Sequence, residues 1–281
     1  MEYRMTDALI EKFRAQLEDE EKTAATIEKY IRDVREFQKY AGKEAKVTKE
    51  LTRAYKEKLR REYAPASVNS MLAALNGFLK RMGWHDCAVK SLKRQKEAFR
   101  STERDLTKEE YFCLVKEAKK QGKTRLFLIL QTLCSTGIRI SELAYITAEA
   151  VKKGQAAVRS KGKQRTVLLP EKLCAQLRLY IQPGSRGSVF VTRNGKPVDR
   201  SNIFHEMKKL CEGAGIAKEK VYPHNLRHLF AKTYYQEKRD ITHLADLLGH
   251  ASINTTRIYT IVSDKEQIRQ IDRLGLIFQI E

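Results

Sequence analysis

The stretch LLGHASINTTRIYT, Leu247 to Thr260, carries a histidine, His250, and a tyrosine, Tyr259, nine positions apart. In one unbroken α-helix nine residues turn through about 900°, which would put the two side chains on opposite faces. The sequence breaks that helix. Ile241, Leu244, Ala245, Leu247 and Leu248 make an apolar stripe that stops at Gly249, a residue suited to a helix C-cap, and Ser252 is suited to cap a new segment. His250 is therefore expected in a tight connection, with Tyr259 on a second segment that can fold back.

Three stretches upstream place further chemistry-bearing residues. TGIRISEL puts Arg139 just after Gly137, at the start of a helix that follows a buried one. SKGK puts Lys161 at the tip of a β-hairpin, between strand-like runs at Ala156–Ser160 and Gln164–Leu169. PHNLRH opens a helix at Pro223, with His224 and Arg227 three apart on one face. Each residue also has an ordinary explanation. Arg139 can pair with Glu142 one turn on, a hairpin lysine is usually just exposed, and a tyrosine near an apolar stripe is more often core than nucleophile.

His224 and His228 have the i, i+4 spacing of a helical metal pair. The residues between them supply no carboxylate and one cation, Arg227, so metal binding is the weaker reading. No local motif signals a Ser/His/Asp or Cys/His nucleophile, and no Gly-rich phosphate loop offers an ATP or dinucleotide site. Neither metal nor cofactor is expected.

Charge sets the class of partner. The chain has 281 residues, a length that suggests about two domains, and a net charge of +20. An excess of that size points to a polyanion, most often nucleic acid, with an anionic membrane surface as the lesser option. The opening MEYRMTDALIEKF has acids where a signal peptide needs an apolar core, and no apolar run approaches the roughly 18 residues of a spanning helix. The expectation is a cytoplasmic protein without a membrane partner. Five cysteines, scattered and never in CxxC spacing, indicate neither a disulfide framework nor a zinc site.

The fold class expected is mainly α-helical with a small antiparallel β-sheet (α+β), in two domains. Residues 1–88 read as a helical domain, with helices at Asp7–Glu18, Thr23–Tyr40, Thr48–Glu62 and Ala66–Met82. In the second of these Lys29, Arg32, Arg35 and Lys39 flank the apolar positions, as ordinary solvated surface or as phosphate contacts. Residues 89–104 lose the apolar periodicity and read as a linker. Residues 105–281 open on a capping box, Thr107 to Glu110. Val189–Val191, with a turn at Asn194-Gly195, suggests a third strand. A tail helix at 264–278 carries Ile268, Ile271, Leu274 and Ile277 on one face, to pack on its own domain or on a neighbour.

TGIRISEL, VRSKGKQRTVLLP, PHNLRHLFA and LLGHASINTTRIYT together resemble the active-site boxes of the tyrosine recombinases, or phage integrases, in order and at the usual separations. The resemblance covers roughly residues 105–262, and the helical half is similar to the family's core-binding (SAM-like) DNA-binding domain. Carried over position by position, it implies that Arg139, Lys161, His224, Arg227 and His250 activate a DNA phosphate and that Tyr259 is the nucleophile. Glu142 stands where the family has an acidic residue supporting the first arginine. The nearby cations Arg159, Lys163 and Arg165 are expected to contact DNA and to make Lys161 a readier acid. The family works as a homotetramer on two paired sites of double-stranded DNA, without metal or ATP.

The chemistry gives this set its own rationale. Rigid, always-charged guanidinium forks can clamp the non-bridging oxygens of a phosphorane-like state, a role that metal ions take in many nucleases. The expected function is thus site-specific DNA recombination through a covalent 3′-phosphotyrosine. The rivals are a type IB topoisomerase, using similar residues as a monomer without sequence preference, and a non-catalytic DNA-binding regulator. Intact Arg139, Arg227 and Tyr259 argue against the regulator.

Overall fold

The computed structural model describes residues 3–93, 104–160, 163–250 and 252–259, with the side chains of Ser160 and Lys163 excepted. Lys161, the tail at 264–278 and most of the expected linker lie outside the described residues. The chain divides into two compact units, Met1–Lys96 and Glu97–Glu281.

Threonines set where most of the early helices begin. The first unit holds α1 (Asp7–Asp19), α2 (Ala24–Ala41), α3 (Lys49–Glu62) and α4 (Pro65–Arg81). Thr6, Thr23 and Thr48 precede the first three, and each side chain accepts a backbone N–H from the opening turn. That satisfies a donor the helix itself cannot pair. The apolar stripes close on a core that includes Phe13, Phe37, Phe78 and Trp84, with Phe13 edge-on to Phe78 at 5.4 Å.

One sequence expectation shifts here. Val89 belongs to this core rather than to a linker. Asn76 bonds both backbone polar groups of Val89, and Asn69 does the same for Leu92, so the chain stays docked past residue 88 because two amides replace a strand partner. The cations of α2 face acids: Lys29 meets Asp33 at 2.5 Å, Arg35 meets Glu11 at 3.0 Å and Lys39 meets Glu36 at 2.8 Å.

The second unit contains α5 (Lys108–Lys120), α6 (Thr124–Thr136), α7 (Ala148–Lys153), β1 (Gln155–Ser160), β2 (Lys163–Leu168), α8 (Glu171–Tyr180), α9 (Arg200–Ala214), α10 (Pro223–Lys238), α11 (Ile241–Leu248) and α12 (Ile253–Thr256). The capping box opens α5, with Thr107 and Glu110 satisfying each other's backbone N–H groups. The two strands pair antiparallel, Val158 opposite Arg165 and Ala156 opposite Val167. Ala156, Val158 and Val167 are buried while Gln155, Ala157, Arg159, Gln164, Thr166 and Leu168 are exposed, so the hairpin has one inner face. No third strand joins it among the described residues. Phe190–Val198 doubles back around Gly195, but Val191 and Pro197 form only an isolated bridge. Pro197 lacks the N–H that a longer ladder would need.

No helix among the described residues is long and apolar enough to cross a membrane.

Candidate active site

Two glycines in the left-handed conformation create the site. Gly137 ends α6 with φ +63°, and Gly249 ends α11 with φ +64°. Each leaves the carbonyls of the last helical turn without an intrahelical partner. Arg227 on α10 fills both gaps: its Nη1 donates to the Gly137 carbonyl at 2.6 Å and its Nη2 to the Leu248 carbonyl at 2.7 Å. Arg227 is 2% exposed. Burial, and then the positive charge of Arg139, lower its pKa to about 10, so it remains a cation at neutral pH.

His250 follows directly. Its Nε2 lies 3.0 Å from the same Arg227 Nη2, and its Nδ1 lies 2.8 Å from the hydroxyl of Thr256. Burial, then Arg227, Arg139, Arg165 and His224, push its pKa down to about 4. The ring is neutral at physiological pH.

The break read at Gly249 is present. Ser252 caps α12, its hydroxyl accepting from Asn254, and a 3₁₀ turn at Arg257–Tyr259 follows. This brings the Tyr259 ring to 6.2 Å from His250, nearly parallel, and to 4.9 Å from His228, edge-on. Tyr259 is 3% exposed and packs with Ala231, Leu244 and Leu248. Its ring is therefore core as well as neighbour to two histidines. His228 in turn sits 3.9 Å from the buried carboxylate of Asp105.

Arg139 begins a 3₁₀ turn, Ile140–Tyr145, where a helix start is expected from sequence. Glu142, 1% exposed, accepts from the Arg139 guanidinium at 2.9 Å and from its backbone N–H at 2.8 Å. The ordinary ion pair therefore exists. It leaves the arginine 36% exposed. Burial alone would raise the Glu142 pKa, but hydrogen bonds from Arg165 and then from Arg139 outweigh it and hold the carboxyl at about 2.

Arg165, expected from sequence to contact DNA together with Arg159 and Lys163, lies on the inner face of the hairpin and donates to both oxygens of Glu142, at 2.9 and 2.8 Å. It shares a face of β2 with buried Val167. Arg159 lies on the other face of the hairpin, is exposed, and reaches Gln164 across the strands at 3.1 Å. His224 is exposed at the start of α10, while His228, its i+4 neighbour, is buried. Among the described residues no three His, Cys, Asp or Glu side chains gather as metal ligands.

Arg139, Arg227 and a neutral imidazole are thus near neighbours, the two arginines close enough to oppose charging of the ring, and a phenol packs against the imidazole. Sequence reasoning passed over Thr256 and Asp105, which have no motif of their own and are defined only by what the fold brings against them.

The chain matches the Phage integrase family over residues 104–266, and the phage integrase N-terminal SAM-like domain over residues 10–84. It is 31% identical over 279 residues to the tyrosine recombinase XerA of Thermococcus kodakarensis, covering 96% of each chain. To XerA of Pyrococcus furiosus it is 29% identical over 278 residues, covering 96% of this chain and 94% of that one. A crystal structure of XerA recombinase superposes with a TM-score of 0.51 at 26% identity, covering 97% of this chain and 99% of the other. A lambda integrase dimer bound to a COC′ core site shares the fold, with a TM-score of 0.74 at 16% identity over 92% and 95% of the two chains. With a match over more than half its length and near full-length relatives of that name, this chain belongs to the phage integrase family and is an enzyme of the tyrosine recombinase type.

Proposed function

We propose that the protein cuts and rejoins double-stranded DNA at a specific recombination site through a covalent 3′-phosphotyrosine, without metal or ATP, as a homotetramer on two paired sites. The observation that carries this reading is that Arg139, Arg227, His250 and Tyr259, from four separate segments, lie within electrostatic or ring-contact reach of one another. Two guanidinium groups at a phosphate neutralise the charge that develops on its non-bridging oxygens. The Tyr259 oxygen then bonds to phosphorus as the bond to the 5′-oxygen breaks.

A tyrosine phenol has an ordinary pKa of about 10, so attack requires a proton acceptor. His224 takes that role by the family resemblance. Lys161 returns a proton to the leaving 5′-oxygen. The phosphotyrosine conserves the bond energy, and a 5′-hydroxyl from another strand reseals it. Near full-length relatives named tyrosine recombinase favour exchange between sites over simple relaxation.

The test is Tyr259→Phe on nicked duplex carrying the recombination site, located by mapping covalently bound DNA ends in cells. The parent should accumulate a covalent protein–DNA product, and the variant should bind without forming one. Covalent product from Tyr259→Phe overturns the proposal.

A further inference from the structure

Both nitrogens of His250 are engaged inside the protein, and the identity of the two partners fixes where the ring proton is. Arg227 has only N–H donors, so Nε2, 3.0 Å from its Nη2, must present a lone pair. A neutral imidazole that accepts at Nε2 carries its single proton on Nδ1. That proton points at the Thr256 hydroxyl, 2.8 Å away, and Thr256 is fully buried. The free chain therefore holds His250 as the Nδ1–H tautomer.

This is the wrong tautomer for the reading above, on which the inference rests. Nε2 is the nitrogen on the Arg227 side, where the phosphate would sit, and a lone pair there repels an anionic oxygen. A hydrogen bond from His250 to phosphate requires the proton on Nε2, and Nδ1 must then accept. Among amino-acid side chains a hydroxyl is well suited to this, because it both donates and accepts and changes role by rotating about one bond.

We propose that Thr256 is a positioning residue that sets the tautomer of His250, accepting from Nδ1–H in the free protein and donating to Nδ1 once Nε2–H faces a phosphate. The exchange is balanced. Nδ1 gives its proton to water, Nε2 takes one from water, and the hydroxyl keeps its own proton throughout. Arg227 drives the change by turning its Nη2 donor from Nε2 to a phosphate oxygen, which frees Nε2 to be protonated.

An isosteric Thr256→Val keeps the packing and removes the hydroxyl, leaving Nδ1 buried without a partner in either tautomer. Thr256→Ser keeps the hydroxyl. The first measurement needs no variant: ¹⁵N–¹H correlation of the histidine rings in the free full-length protein. The expected spectrum shows His250 with a protonated Nδ1 and a bare Nε2; a protonated Nε2 in the free chain overturns the proposal.

The second measurement is strand cleavage on the nicked duplex. Thr256→Val should slow cleavage by about tenfold or more with DNA binding retained, since a buried donor or acceptor is left unmet, whereas Thr256→Ser should stay within about twofold of the parent. In a His250→Ala background, Thr256→Val should add less than about a twofold effect, because residues acting as a unit are not additive. A merely structural threonine would lower the rate equally in both backgrounds, and that result also overturns the proposal. Failure of the Tyr259→Phe test would remove the recombination chemistry and leave the ring spectrum of the free protein as it is, so the two ideas fail separately.

Discussion

Arg165 holds both carboxylate oxygens of Glu142, and through that one carboxylate β2 is tied to the turn that presents Arg139. Glu142 is 1% exposed, so its removal would strand the Arg165 guanidinium, itself 14% exposed, without its carboxylate, while Arg139 at 36% exposed would keep water. Glu142→Ala should lower stability by about 3–5 kcal/mol, the usual effect of breaking a buried pair from one side. Urea denaturation checks this, and a midpoint equal to the parent's would mean that the carboxylate does not anchor the turn.

Gly249 faces the same arginine. A Cβ at this position would lie 2.5 Å from Arg165 Cδ, and the backbone φ of +64° disfavours any side chain. Gly249→Ala should therefore cost more than about 1 kcal/mol. Combining it with Arg165→Ala removes the clash but not the strained φ, so the double variant should be more stable than the two single losses predict. Strict additivity in a thermodynamic cycle would show that the close approach is not felt.

Acid should weaken the second unit in two overlapping windows. The His250 pKa falls from 6.5 to about 4 on folding, so between those values the unfolded chain binds the proton more readily, and stability declines as pH drops through that range. Burial, Arg227, Arg139, Arg165 and His224 all oppose charging the ring. The Glu142 carboxyl falls from 4.5 to about 2, so its contribution is complete above 4.5 and is lost as pH drops toward 2. Urea midpoints measured from pH 7 to pH 3 should fall in both windows, and Glu142→Gln should flatten the lower one. A midpoint independent of pH would contradict both assignments.

Cleavage should persist in EDTA, because the proposed chemistry assigns charge neutralisation to guanidinium groups rather than to a divalent ion. Binding should fall steeply with salt, with a log–log slope of about −0.9 for each phosphate neutralised. Activity lost in EDTA and restored specifically by magnesium would refute the first expectation, and salt-independent affinity the second.

Some helix starts and stops were legible because each rests on one residue's local chemistry: the capping box at Thr107 opens α5, and Gly137 and Gly249 end α6 and α11. The approach of His250 to Tyr259 followed from the break at Gly249. What was not legible depends on which face a strand or loop buries. Arg165 looks like its neighbours in a list of cations, and only the pairing of β2 with β1 turns it inward. The third strand failed for a related reason: apolar character at Val189–Val191 reports burial, which Phe190 achieves at 1% exposure without a ladder. Neither the packing of Tyr259 against His228 nor the bond from Thr256 to His250 leaves a periodic trace in sequence.

The two helix ends that Arg227 joins bear on how the history of such a chain is read. An arginine that closes two helices serves the fold whether or not any DNA is cut, so its presence alone does not separate an enzyme from a non-catalytic relative. The same holds for the Tyr259 ring, which packs with Leu244, Leu248 and Ala231. Arg139 is different. It is 36% exposed, and the carboxylate it touches is already gripped at both oxygens by Arg165. Of the three, Arg139 is thus the residue that the fold itself needs least, and the one whose presence speaks most for chemistry.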